Sequence, residues 1–157
     1  MQIKVLSLID MPSFKGRYLY TLDAKGRIAI PAKLRKSLSA KGSVVITRGF
    51  EKCLYVYPVE EWKQVESYIR SLSFLDARQR FFGRTLFQWA TDSDLDSQSR
   101  ISVPQELLKY AGIGGDVLIL GVVDRIEMWD PTVYDEYQKS QPDTYETVVE
   151  HVFQQKT

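Results

Sequence analysis

A stretch of the chain occurs twice, and this internal repeat constrains the fold more than any other feature of the sequence. Residues 22–34 and 95–107 share Leu, Asp, Arg, Ile, Pro and Leu at equivalent positions, 73 residues apart. The similarity continues through residues 45–57 and 117–129, so each copy is roughly 45 residues long. Repetition of this kind is typical of chains built from copies of one supersecondary unit. We therefore predict two copies of a single unit.

The start of each unit has the pattern of a β-hairpin. In the first copy, residues 18–22 and 28–30 alternate aromatic or β-branched side chains with smaller or polar ones, which is typical of strands. Between them, Asp23 can accept a hydrogen bond from its own backbone two residues on, and Gly26 tolerates a left-handed conformation. The second copy repeats this order around residues 96–100. We expect the two short strands of each copy to pair with each other.

Helical and further strand patterns follow each predicted hairpin. Pro31 suits the first turn of a short helix in which Leu34 and Leu38 share one face. Further strands are predicted over residues 44–47 and 53–57, around a turn at 49–52, and over 117–120 and 126–129. Helices are predicted over residues 59–72, 76–90 with Asp76 as N-cap, 104–111 closed by Gly112, 131–140 and 143–154. The fold class is therefore α+β.

Composition excludes most catalytic and metal chemistry. The 157 residues include one cysteine, Cys53, and one histidine, His151, so an internal disulfide or a cysteine-based zinc site is out of reach. No apolar run is long enough to cross a membrane, and residues 1–10 do not have the pattern of a signal peptide. There is no Gly-rich phosphate-binding loop. We expect a protein that is not an enzyme, uses no cofactor or metal, and takes no small-molecule substrate.

The charge is distributed unevenly along the chain. Net charge is +1, but residues 15–48 hold nine basic side chains and one acid, whereas residues 85–157 hold five basic side chains and thirteen acids. Each run of charge is consistent with a solvated surface. An asymmetry of this size also indicates a polyanionic partner, such as nucleic acid, for the basic half.

With these motifs in place, the sequence resembles the MraZ family of bacterial transcription regulators. In the first unit the likeness is carried by Leu22-Asp-Ala-Lys-Gly-Arg-Ile28 and Ile30-Pro31, together with Phe14-Lys-Gly, Tyr57-Pro58 and Trp62. In the second unit it is carried by Asp96-Ser-Gln-Ser-Arg-Ile101, Val103-Pro104 and Gly121. That family duplicates, within one chain, the swapped-hairpin unit of AbrB-type DNA-binding proteins. The resemblance covers nearly everything from about Phe14 onward.

The resemblance implies both a fold and a function. The implied fold is a β-rich double swapped-hairpin barrel, with helices between and after the repeats. The implied function is a cytoplasmic, nucleoid-associated repressor that binds double-stranded DNA in a division and cell-wall gene cluster, including the promoter of its own gene. The family also assembles into a ring of several subunits, which we expect to bind short direct repeats.

The likeness suggests five segments within one compact domain. They are an N-terminal extension over residues 1–13, a basic repeat over 14–57, connecting helices over 58–90, an acidic repeat over 91–130 and C-terminal helices over 131–157. Two interpretations remain for the first ten residues: Met11 is the true start, or residues 1–10 form an extra edge strand.

Arg27 is the leading candidate for contact with DNA. Because Ile28 and Ile30 face the core, Arg27 should project from the opposite face of its strand, where its planar guanidinium can pair with phosphate or guanine. The alternative is an ion pair with Asp23 across the turn, which could orient Arg27 and still leave donors free. The remaining DNA-binding candidates are Lys15, Arg17, Lys25, Lys33, Arg35 and Lys36, with Asp23 and Gly26 as turn and orienting residues.

The second repeat departs from the family pattern. Ser99 stands where the first repeat has Gly26, and serine enters the left-handed region at a cost, so we expect this turn to be reshaped or differently paired. Arg100 and Asp96 form a possible second copy of the motif. Because nearby aspartates repel phosphate, we expect structural pairing for Arg100 rather than DNA contact.

The alternative to a DNA-binding regulator, from another class of function, is a structural ring. In that alternative, the acidic half scaffolds protein partners and the chain has only non-specific affinity for DNA. The aromatic stripes of the helices are then core or subunit contacts, as they are also in the DNA-binding interpretation.

Overall fold

The computed structural model describes residues 11–39 and 41–155. For the N-terminus we predict either a start at Met11 or an edge strand over residues 1–10. Residues 1–10 lie outside the described part of the chain. The first repeat and the connecting region contain β1 (Phe14–Thr21), β2 (Arg27–Ala29), α1 (Ala32–Arg35), β3 (Ser43–Arg48), β4 (Leu54–Pro58), α2 (Val59–Ser71) and α3 (Ala77–Gln88). The second repeat and the C-terminal region contain β5 (Thr91–Asp94), β6 (Arg100–Ser102), α4 (Gln105–Ala111), β7 (Asp116–Val123), β8 (Arg125–Trp129), α5 (Pro131–Lys139) and α6 (Tyr145–Gln154).

The strands of the two repeats are interleaved. Six strands form one antiparallel sheet in the order β1-β7-β8-β4-β3-β5, and β2 pairs with β6 in a separate two-stranded sheet. Strand β1 of the first repeat therefore lies on β7 of the second, and β5 of the second repeat lies on β3 of the first. The strands predicted over residues 44–47, 53–57, 117–120 and 126–129 are confirmed, and they pair as the hairpins β3–β4 and β7–β8.

The prediction that each repeat begins with its own paired hairpin is wrong. The turn after β1 does form, because the Asp23 amide donates to the Arg27 carbonyl at 2.9 Å. Beyond it, β2 pairs with β6 of the other repeat, with Ile28 opposite Ile101. Both isoleucines are almost completely buried. Each copy thus completes the apolar face of the other, which a local pattern cannot reveal.

The six-stranded sheet has a different apolar core on each face. Side chains such as Val44, Ile46, Val117 and Ile119 pack on one face with the β2–β6 pair. The same core includes α1 and α4 side chains, namely Leu34, Leu107, Leu108 and Ala111. The intervening side chains of the same strands point to the opposite face because successive residues of a strand alternate. There they pack with aromatic and aliphatic side chains of α2, α3 and α5, namely Trp62, Val65, Ile69, Phe82, Leu86, Val133, Tyr134 and Tyr137.

The positions of α2 to α6 agree closely with the sequence predictions, whereas α1 ends at Arg35 and does not include Leu38 as predicted. Asp76 caps α3 by accepting hydrogen bonds from the amides of Arg78 and Gln79, as its N-cap position predicts. Gly112 ends α4 in the left-handed conformation, with φ of 69°. The α+β class is confirmed. Within the described residues, the hydrogen-bonded ladders do not join the two sheets into a closed barrel, and the barrel itself stays a prediction.

Gly121 provides a test of the close approach between β1 and β7. A Cβ atom at this position would lie 2.3 Å from the Lys15 backbone nitrogen, so β1 would have to move. We expect Gly121→Ala to lower the free energy of unfolding by about 1–3 kcal/mol, the usual cost of overpacking. Gly114→Ala is the matched control, because nothing lies within 4 Å of its added Cβ. Chemical denaturation measures the free energy of unfolding of both variants. Equal values for Gly121→Ala and Gly114→Ala would contradict the described β1–β7 packing.

Candidate nucleic-acid interface

The turn that follows β1 is built around the side chain of Asp23. Its Oδ1 accepts hydrogen bonds from the amides of Lys25 and Arg27, at 2.9 and 2.8 Å. Gly26 adopts a φ of 77°, and its amide donates to the Asp23 carbonyl at 3.1 Å. The hydrogen bond from the Arg27 amide, together with that residue's side chain, holds the pKa of Asp23 below its ordinary value. The turn therefore keeps a charged aspartate at its base.

The second repeat forms the same turn despite its serine. Asp96 Oδ1 accepts from the amides of Gln98 and Arg100, both at 2.9 Å, and these bonds lower the pKa of Asp96, with that from Arg100 the largest cause. Ser99 adopts the left-handed conformation, with φ of 60°, and its amide donates to the Asp96 carbonyl at 2.9 Å. The expectation that Ser99 reshapes this turn is wrong. Its hydroxyl accepts a hydrogen bond from Arg35 of α1, which ties the two repeats together at this point.

Four side chains from the two turns form a cross-repeat ion-pair cluster. Arg27 Nε lies 2.7 Å from Asp23 Oδ2, and Arg100 Nε lies 2.9 Å from Asp96 Oδ2. In addition, Arg100 Nη1 lies 3.5 Å from Asp23 Oδ2. We call Asp23, Arg27, Asp96 and Arg100 the arginine–aspartate cluster. The ion pair weighed as the alternative for Arg27 is thus present, as is the structural pairing expected for Arg100.

The cluster remains accessible to a ligand. The side chain of Arg27 is 29% exposed and that of Arg100 is 23% exposed. In the described part of the chain, Arg27 has its Nε engaged by Asp23, and no ion pair or hydrogen bond of its terminal Nη atoms is found. The contact with Asp23 therefore engages Nε and leaves the donors at the end of the Arg27 guanidinium available.

Most of the other predicted DNA-binding residues lie near the cluster in the chain. Lys25 is exposed in the first turn itself, and α1, which follows β2, exposes Lys33 and Arg35, with Lys36 at its C-cap. Arg35 also contacts the second turn through Ser99. These elements belong to the same side of the six-stranded sheet, because Leu34 of α1 and Ile28 of β2 share one core.

Lys15 and Arg17 are separated from this group. In β1 the side chains of Phe14, Tyr18 and Tyr20 pack in the core that also contains Ile28 of β2. Lys15 and Arg17 alternate with them and project from the other face of the sheet. Arg17 lies 5.7 Å from the ring centroid of Tyr134 in α5, on that second face. The structure therefore does not bring all seven predicted DNA-binding residues together.

One basic residue of the positively charged segment over residues 15–48 contacts an aromatic side chain of the second repeat. The Arg48 guanidinium lies over the Tyr110 ring, 3.8 Å from its centroid, which joins the first repeat to the second. The contact between Arg100 and Asp23 was not anticipated from the sequence. Its only signal is that both repeats place Asp and Arg four residues apart, and that spacing does not say which aspartate meets which arginine.

Neither metal binding nor a membrane span finds support in the described residues. In residues 11–39 and 41–155, no group of three or more His, Cys, Asp and Glu side chains is arranged to hold a metal ion. Helices in the same ranges are too short and too polar to cross a bilayer.

Comparison with known proteins decides the family. The chain matches the family described as "MraZ protein, putative antitoxin-like" twice, over residues 13–85 and 86–155. The chain belongs to the MraZ family. The two matches correspond to the two interleaved repeats, and together they include nearly all of the described residues.

Curated relatives extend this match along most of the chain. Similar proteins include one from Natranaerobius thermophilus, 40% identical over 139 residues that cover 88% of this chain and 96% of the relative. Another, from Moorella thermoacetica, is 42% identical over 137 residues that cover 87% of this chain and 94% of the relative. A third, from Acetivibrio thermocellus, is 40% identical over the same shares. All three are named "Transcriptional regulator MraZ".

Proposed function

We propose that this protein is a sequence-specific, DNA-binding transcriptional regulator. In the form that the resemblance implies, it represses a division and cell-wall gene cluster that includes its own gene, and acts in the cytoplasm at the nucleoid. The observation that carries the proposal is the pairing of Arg27 with Asp23 at 2.7 Å, which leaves a partly exposed guanidinium directly after a tight turn. The printed name of the curated relatives supports the same function.

Arg27 is suited to reading a base. A guanidinium can donate two parallel hydrogen bonds to the O6 and N7 acceptors of guanine in the major groove. Because Asp23 engages Nε, the terminal nitrogens of Arg27 are the donors that can reach such a partner. The strand and turn that carry Arg27 are anchored by Ile28, which is buried, so the side chain starts from a rigid backbone.

The neighbouring basic residues are suited to the phosphate backbone. Lys25, Lys33, Arg35 and Lys36 are exposed around the first turn and α1. Contacts of this type position a protein on the duplex without specifying sequence, and each releases a condensed counterion. Lys15 and Arg17, on the other face of the sheet, would serve as phosphate contacts only for a second duplex segment or for DNA that passes the edge strand β1.

Two substitutions at Arg27 separate the contribution of base recognition to binding from the contribution of positive charge. Arg27→Ala should weaken binding to the DNA upstream of this protein's own gene by about tenfold or more, since a bidentate guanine contact contributes roughly 1–3 kcal/mol of discrimination and a positive charge is also lost. Arg27→Lys keeps the charge but loses the planar fork. It should therefore reduce discrimination between that DNA and a shuffled fragment, with little change in the salt dependence of binding.

Fluorescence anisotropy at several salt concentrations measures the affinity for each DNA fragment and its salt dependence. Thermal unfolding and light scattering establish that the variants keep the fold and the oligomeric size of the wild type. Wild-type affinity in the folded Arg27→Ala protein would remove Arg27 from the DNA-binding site.

The proposed regulator acts as a ring of several subunits, and two exposed apolar surfaces support this assembly. Every residue of α6 is at least partly exposed, including Tyr145 at 79%, with Val148, Val152 and Phe153 also exposed. A second exposed apolar group lies on α2, α3 and the segment between them; it consists of Tyr68, Phe74, Leu75 and Phe81. These two surfaces are the subunit contacts that we infer.

The charges around the two surfaces are complementary. The α3 helix carries Arg78, Arg80 and Arg84, whereas α6 carries Glu146 and Glu150. A contact between two different surfaces repeats from subunit to subunit. The subunits close into a ring when a whole number of the rotations that relate neighbouring subunits adds up to 360°. A ring would place several copies of the first turn along one rim.

Spacing between DNA repeats tests the ring. Copies on one rim can engage successive direct repeats when these recur at about one helical turn, roughly 10–10.5 base pairs, and linked contacts raise the overall affinity. We expect insertion of about five base pairs, half a turn, between two repeats to reduce affinity steeply, and insertion of a full turn to restore part of it. Gel-shift titration of the oligomeric protein measures this. Unchanged affinity at half-turn spacing would contradict the phased ring.

A further inference from the structure

Asp23 and Asp96 occupy equivalent positions but have different partners. Both accept two backbone amides at Oδ1 and the Nε of their own arginine at Oδ2. Asp23 Oδ2 is approached, in addition, by Arg100 Nη1 from the second repeat at 3.5 Å. No matching contact from Arg27 to Asp96 is found in the described part of the chain. The cluster is therefore asymmetric, and Asp23 is its centre.

We propose that Asp23 is a positioning residue for sequence recognition: it fixes the guanidinium of Arg27, while Arg100 of the second repeat holds Asp23 from the other side. The acidic repeat then takes part in reading DNA through Asp23, without touching the DNA itself. This inference rests on the proposed DNA-binding function of Arg27.

Folding stability is not a sufficient reason for this arrangement. The side chains of Asp23, Arg27 and Arg100 are between 23% and 30% exposed. Ion pairs with that much access to water contribute little to the free energy of folding. The backbone hydrogen bonds of the turn use Oδ1, whereas Oδ2 accepts from the side chains of Arg27 and Arg100.

Preorganisation explains the arrangement better. A free arginine side chain has many rotamers, and ordering it on binding costs conformational entropy. The bond from Arg27 Nε to Asp23 Oδ2 removes part of that freedom before DNA arrives. Arg100, which is itself held by Asp96, restricts Asp23 in turn. The result is a chain of three ion pairs that crosses from one repeat to the other and ends at Arg27.

Simple electrostatics makes the opposite prediction, which allows a sharp test. An aspartate beside a phosphate backbone repels it, so removal of the carboxylate charge should strengthen binding to any DNA. If Asp23 positions Arg27, its removal should instead weaken binding to specific DNA while binding to non-specific DNA becomes slightly stronger. The ratio of the two affinities distinguishes these outcomes.

Asp23→Asn is the decisive variant, and Asp92→Asn, at an exposed residue of β5 outside the arginine–aspartate cluster, is its matched control. Asparagine keeps an oxygen for the two amides of the turn, so Asp23→Asn retains the turn, and each variant loses one negative charge. The full-length protein is titrated with two fragments of equal length and composition: the DNA directly upstream of its own coding sequence, and a shuffled version. Thermal unfolding verifies that each variant is folded.

We expect Asp23→Asn to lower the ratio of specific to non-specific affinity by about tenfold, and Asp92→Asn to change it by about twofold at most, since a well-placed arginine contact carries discrimination of that order. Parallel strengthening of both affinities in Asp23→Asn would overturn the inference and leave Asp23 acting only through its charge. Equal affinity of the wild type for both fragments would overturn the proposed function, and this inference with it.

Arg100→Lys tests the same chain from the second repeat. Lysine keeps the positive charge but cannot hold Asp96 and Asp23 at the same time through a planar fork. We expect the affinity ratio to fall by about threefold, less than in Asp23→Asn, because the direct bond between Asp23 and Arg27 is retained. An unchanged ratio in the folded variant would remove the second repeat from the positioning of Arg27.

Discussion

The pairing of β2 with β6 is the contact on which the rest of the structure depends. Three residues from each repeat form this short ladder, and Ile28 and Ile101 face each other at its centre. Because each strand follows one of the two tight turns, the ladder also sets the turns close enough for Arg100 to reach Asp23. The same exchange sends β1 to β7 and β5 to β3. Neither repeat has a complete core without the other.

Local patterns predicted most elements correctly but could not choose their partners. The longer helices and the hairpins β3–β4 and β7–β8 follow from periodicity, since their signals lie within a few residues. Strand β5, with the sequence Thr-Asp-Ser-Asp, has no apolar periodicity and was missed; it is recruited by the backbone of β3 and by the hydrogen bond from Ser43 to Asp94. The predicted hairpin of each repeat was wrong because backbone pairing across 73 residues of sequence leaves no local trace.

The candidate site was predictable to a similar degree. The ion pair of Arg27 with Asp23 follows from their spacing across a turn, and the structure contains it. The bridge from Arg100 to Asp23 depends on the exchange of strands and so could not be read from one sequence. The separation of Lys15 and Arg17 from Arg27 follows from strand parity, once β1 is known to begin at Phe14. Taken together, two repeats of opposite charge have distinct tasks in the proposed regulator: the basic one meets DNA and the acidic one supports it.

A disulfide between β1 and β7 tests the exchange of strands most directly. Thr21 and Asp116 are register partners on these strands, and Thr21 Oγ1 lies 3.3 Å from Asp116 Oδ1. Cysteines placed at both positions should therefore satisfy the Cα separation of a disulfide, about 4.4–6.8 Å. Cys53 is buried and should not compete. Mild oxidation followed by digestion and mass spectrometry should find the peptides of residues 21 and 116 joined in high yield. Two free engineered thiols in the folded, oxidised protein would contradict the interleaving of the repeats.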